Sequence, residues 1–206
     1  MGDDEAGGLA IGREEHRQAT FEVGVVERFR RQVEGIVVSG RVERLPHRGR
    51  VLLCGIELGN VYYYFKTKDD IVAAVVEART EEIRSATAAL QRRHGSPKAR
   101  LKALVGLLAD ARDTVADHGC PLGTLCAELA NQPGQSPSLT APLMQTLLDW
   151  AAQQFHAVGR RDARDLAVEL VIAYEGSAVL TKALAQPEIM AREARRLEKW
   201  INALQV

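Results

Sequence analysis

From position 67 to the end of the chain, apolar residues recur at three- and four-residue steps, the spacing that gathers side chains on one face of a helix. The first such run opens at Thr67-Lys68-Asp69-Asp70, where a hydroxyl can cap and carboxylates suit the positive helix end. It carries Ile71, Val72, Val75, Val76, Ile83, Ala86 and Leu90 to about Arg93, and His94-Gly95-Ser96-Pro97 breaks it. A second helix is predicted from Pro97, with Leu101, Leu104, Val105, Leu108, Ala111 and Val115 as its stripe and Gly119 as its stop. A short helix opens at Pro121. Loop chemistry at Asn131 to Pro137 is followed by a helix from Leu139 to Val158, which carries Met144, Leu147, Leu148 and Phe155 and ends at Gly159.

Two more helices follow, Asp162 to Ala185 and Glu188 to Leu204, separated by Gln186-Pro187. The first places Leu166, Leu170, Tyr174, Ser177, Val179, Leu180 and Leu184 on a mainly apolar surface. In the last, Met190, Ala194, Leu197, Ile201 and Leu204 are spaced four, three, four, three, a heptad-like seam that suits either the chain's own core or a dimer interface. Tyr174, Leu180, Leu197 and Ile201 are the candidates for such an interface. The fold class is all-α.

Composition agrees with this and narrows the chemistry. The 206 residues, 46% of them hydrophobic, can form one sizeable core or a small domain joined to a larger one. Lys plus Arg and Asp plus Glu both total 27, so a nucleic-acid surface has to be a local patch. Cys54, Cys120 and Cys126 are odd in number and form no C-x-x-C pair, which argues against a disulfide framework and for a reducing cytoplasm. The five histidines show no ligand-like spacing, so no metal or other cofactor is expected. No phosphate-cradling glycine loop, G-x-S-x-G or catalytic carboxylate pair is present, so an enzyme is not expected. The start MGDDEAGGLA is acidic, and Glu169, Glu175 and Lys182 interrupt the later apolar stretches, so no membrane span is expected.

The segment Gly55-Ile56-Glu57-Leu58-Gly59-Asn60-Val61-Tyr62-Tyr63-Tyr64-Phe65 carries three adjacent tyrosines just ahead of Lys66 and Lys68. Three successive tyrosines cannot all face inward on a helix. On a helix entering a major groove, Asn60 and Tyr63 suit contacts to base edges, while Tyr62, Tyr64, Lys66 and Lys68 suit the flanking phosphates. Val61 and Phe65, four apart, would face inward.

This segment resembles the recognition helix of TetR-family (tetracycline-repressor-type) transcription regulators, in which a glycine is followed by two or three residues, then an apolar residue, Tyr, any residue, Tyr or His, Phe, two residues and a Lys with acids following. The resemblance implies that Gly59 starts the recognition helix, that Tyr62, Tyr64 and Lys68 touch backbone phosphate, and that a long helix from Lys68 joins a helix-turn-helix head, residues 1–67, to a ligand-binding and dimerisation body, residues 68–206. The implied protein is a homodimeric repressor that binds palindromic double-stranded operator DNA and answers to a small-molecule effector. The likeness fails over residues 1–53, which hold nine Arg, no Lys and no sustained period. A frame error in the gene and a diverged head both account for that stretch. The alternative function is an all-helical dimeric small-molecule or thiol-reactive binding protein without a competent head.

In the body, Gly119-Cys120-Pro121-Leu122-Gly123 is similar to a segment found in one branch of the family. Pro121 at the first helical position puts Cys120 at the cap, where the helix dipole is expected to favour thiolate and a sensor role. The plainer reading is a small buried residue at a helix start. Trp150, Phe155 and Tyr174 stand between lining a ligand pocket and simple core.

Overall fold

A computed structural model describes residues 67–131 and 140–205, and every described element is a helix. The candidate DNA contacts Gly59, Asn60, Tyr62, Tyr63, Tyr64 and Lys66, and the anomalous residues 1–53, lie outside the described residues. Lys68 is the first residue of α1, Lys68–Arg93. That helix begins at the position expected from the sequence because Thr67 and Asp70 close a capping box. The Asp70 N–H donates to the Thr67 hydroxyl at 3.1 Å, and the Thr67 N–H donates to the Asp70 carboxylate at 2.8 Å.

Ser96 caps α2, Pro97–Asp110, with Pro97 supplying a first residue that has no amide hydrogen to satisfy. The single helix predicted from Pro97 to Gly119 is in fact two: Ala111 ends α2 and starts α3, Arg112–His118. No glycine or proline marks this break. Packing demands it, because Leu101, Leu104 and Val105 enter the main core whereas Val115 enters a separate cluster with Cys120, Tyr174, Ala178 and Met190. Gly119, at φ 84°, then turns the chain into α4, Pro121–Ala130. Helices α5, Ala141–Ala157, α6, Ala163–Leu184, and α7, Glu188–Ala203, complete the chain. Ala185 adopts a left-handed conformation at the end of α6, a position that usually falls to glycine.

The main core lies where α2, α5, α6 and α7 converge. Phe155 is fully buried there and meets Trp200 edge-on, with ring centroids 5.6 Å apart. Leu197 and Ile201 fill the same core, at 3% and 0% exposure. The heptad-like seam of α7 is therefore used within one chain, and these two residues are unavailable to a second copy, which corrects the interface expectation for them. Tyr174 is likewise buried, in the cluster around Val115. A third cluster joins Val72 and Val76 of α1 to Leu125 and Leu129 of α4 and Leu143 of α5.

Phe155→Ala is expected to lower the unfolding free energy by about 3–5 kcal/mol, since it leaves a cavity in the best-packed region. Urea denaturation followed by circular dichroism measures this; a loss under about 1 kcal/mol would contradict the packing described.

Candidate functional site

Two features of the body carry chemistry beyond simple packing. The first is built where α4 meets α6. Both glycines of Gly119-Cys120-Pro121-Leu122-Gly123 have a steric reason. Gly119 takes its positive φ with the Thr124 hydroxyl 3.0 Å from where a Cβ would stand, and at Gly123 a Cβ would crowd a carboxylate oxygen of Glu175. The Lys182 ammonium donates to the Asp117 carbonyl and ties α6 to the end of α3.

Cys120 sits among three neighbours. Its thiol donates to Glu175 Oε1 at 3.2 Å, while its sulfur accepts the Tyr174 hydroxyl at 3.6 Å and the Gly123 N–H at 3.5 Å. Burial and, second, the charge of Glu175 push the Cys120 thiol up to about 11. These outweigh the Gly123 N–H and the cap position, so at neutral pH the group is a thiol. The expectation of a thiolate at Cys120 is corrected on this ground. Cys126 is half-buried and is shifted upward by the same two causes. Tyr174 is also held protonated, chiefly by burial.

Glu175 is the residue that sequence reading passed over, treating it only as a charge that rules out a membrane span. Burial raises its pKa above the ordinary 4.5, partly offset by the Cys120 hydrogen bond. No local signal marks it: on the same helix Ile172 and Val179 also adjoin buried residues yet stand exposed.

The second feature is an open groove of about 430 Å³ between α6 and α7, lined by Ile172, Gly176, Ser177, Leu180, Ile189 and Arg192 among others. The Arg196–Glu193 ion pair, at 2.7 Å, borders it. Along α6, Ile172, Val179, Leu180 and Leu184 stand 66%, 66%, 52% and 55% exposed. Leu180, the one interface candidate that is exposed, belongs to this strip.

The pocket candidates do not gather at either feature as a group. Phe155 is core rather than pocket wall, and Trp150 is buried in the same cluster with its indole N–H unpartnered. Only Tyr174 reaches the thiol–carboxylate cluster. Among the described residues no group of His, Cys, Asp and Glu is arranged to hold a metal ion, and no helix is long and apolar enough to cross a membrane.

The helical arrangement defines the class: it is the all-α fold of TetR-family transcription regulators. A Legionella pneumophila TetR transcriptional regulator is similar at TM-score 0.73 and 14% identity, over 84% of this chain and 95% of that one. An Agrobacterium tumefaciens TetR-family regulator gives 0.73 and 17%, over 84% and 95%, and a Streptomyces coelicolor one gives 0.72 and 17%, over 85% and 93%. At these identities the likeness is one of fold. No protein-family model and no curated protein matches the sequence.

Because the pKa of Glu175 is raised on folding, the folded chain keeps that proton longer than the unfolded one. Its contribution to stability is whole below about pH 4.5 and is lost as pH rises through the elevated folded value. Glu175→Gln is expected to abolish this loss and to raise the melting temperature at pH 8 more than at pH 4. Thermal melts across that range test it, and a variant equally or less stable at pH 8 would overturn the sign.

Proposed function

We propose that this chain is a DNA-binding transcription regulator that works as a homodimer and responds to a small molecule held in its helical body. The likeness of the body to solved TetR-family regulators at TM-scores of 0.64 to 0.73 carries this reading. The sequence Gly59 to Lys68 supports it, since it puts three tyrosines and Lys66 just ahead of the capping box that starts α1, with Lys68 as the first helical residue. In this reading Asn60 and Tyr63 touch base edges, while Tyr62, Tyr64, Lys66 and Lys68 grip phosphates.

A second copy covers the exposed strip of α6. An isologous contact needs a self-complementary surface, and an apolar strip beside a groove flanked by Arg192, Arg196 and Glu193 offers both apolar area and charges of both signs. Gly176, with open space where a side chain would stand, lets a partner helix come close. Two heads set by such a dimer would meet successive major grooves about 34–36 Å apart. An effector acts by binding one spacing of the heads better than another.

The alternative, a dimeric binding protein without a competent head, draws on the irregular pattern of residues 1–53. A shift assay on DNA from the chain's own promoter, run at several salt concentrations, separates the two. Specific binding is expected, with Tyr62→Ala abolishing it and Lys68→Ala weakening all sequences alike and lowering the salt slope by roughly 1 per subunit. A stable dimer with no specific DNA binding would favour the alternative. For the dimer itself, Ile172→Asp combined with Leu180→Asp is expected to leave a folded monomer in sedimentation. A species that stays dimeric would put the interface elsewhere.

A further inference from the structure

Helix α4 touches every apolar cluster of the body. Leu122 packs against all three, and Leu125 and Leu129 form one of them together with Val72 and Val76 of α1. Its backbone runs close to that of α5 and stays farther from that of α6. The link to α6 is made by side chains: Glu175 reaches across to take the Cys120 hydrogen bond, Tyr174 supports the same sulfur, and the second carboxylate oxygen rests over Gly123, where a Cβ would make it shift.

We propose that the Glu175–Cys120–Gly123 contact is a latch that seats the first turn of α4 on α6 and, through Leu125 and Leu129, holds the opening turns of α1 in place. The mechanics follow from the two ends of a short helix. A helix of 10 residues is about 15 Å long and moves as a rigid piece, so a displacement at Cys120 is carried to Leu129. Leu129 has 1% exposure and Val72 3%, so neither can follow a shift of the other without repacking. The thiol hydrogen bond is weak, so a contact made of it and a close steric fit can be opened without unfolding the main core, which lies with α2, α5, α6, α7 and the far end of α1 at Leu90. Opening it loosens α1 just after the segment assigned to DNA. The coupling itself holds whether or not that segment binds DNA.

Hydrogen exchange of the full chain, read by mass spectrometry, tests the latch without any DNA. Gly123→Ala puts a methyl group into the space of the Glu175 carboxylate, and Glu175→Ala removes the carboxylate. Each is expected to raise exchange about tenfold in residues 121–130 and in residues 70–80, with residues 97–110 unchanged. Helix propensity alone predicts the opposite for Gly123→Ala, because alanine stabilises a helix relative to glycine. The double variant is expected to show no further rise, since both changes open one contact. Glu175→Gln keeps the shape and the acceptor oxygen and should not raise exchange above the wild-type level. Unchanged exchange in residues 70–80, additive effects in the double variant, or a Glu175→Gln that loosens α1 as much as Glu175→Ala would each overturn the proposal. Should Gly123→Ala fail to fold, Glu175→Ala against Glu175→Gln makes the same comparison.

Discussion

Helix α6 is apolar around most of its circumference, and the arrangement of the body follows from the need to cover it. Leu166, Ala167, Leu170 and Val171 give one side to the main core, while Tyr174 and Ala178 give another to the cluster with Val115 and Met190. A helix that is hydrophobic on so many sides cannot be satisfied by one neighbour. It therefore draws α3 and α7 against it along with α5, and the break at Ala111 is what lets α3 turn away from α2 to do so. What remains uncovered is the strip from Ile172 to Leu184. Among the described residues, then, this open apolar strip is the remainder of the same requirement that folds the chain.

Much of this was legible in the sequence, and the failures share a cause. The start of α1 could be read because a capping box is a local device, complete within four residues. The Pro97 and Pro121 starts were legible for the same reason. The four-three spacing of α7 was also read correctly as a packing seam, but period alone does not say whether the partner lies in the same chain. That answer depends on where α2 and α6 stand. The Ala111 break left no local mark, since alanine favours helix and only the separation of two clusters requires a bend there.

Cys120 shows the limit most clearly. Reading it as a helix cap was sound, and the Gly123 N–H does reach its sulfur. A dipole at a helix start favours thiolate, but that effect is modest and falls off within the first turn. Burial works on the whole charge of the thiolate, and a carboxylate 55 residues away in sequence adds to it, so the surroundings brought by the fold outweigh the local cap. Glu175 was passed over on the same ground, because its role comes from α4 standing over α6.

The two glycines beside Cys120 join these threads. Gly119 lets the chain leave α3 in a conformation that residues with side chains rarely take, and Gly123 leaves room for Glu175 over the first turn of α4. A salt bridge could have offset the cost of burying the carboxylate, yet the donor provided at Oε1 is a thiol, one of the weakest available. A strong ion pair there would bind α4 firmly to α6 and make the two move as one. A thiol and a close fit leave a contact that holds α4 in register and still yields at small cost, in a helix whose far end packs directly on the opening turns of α1.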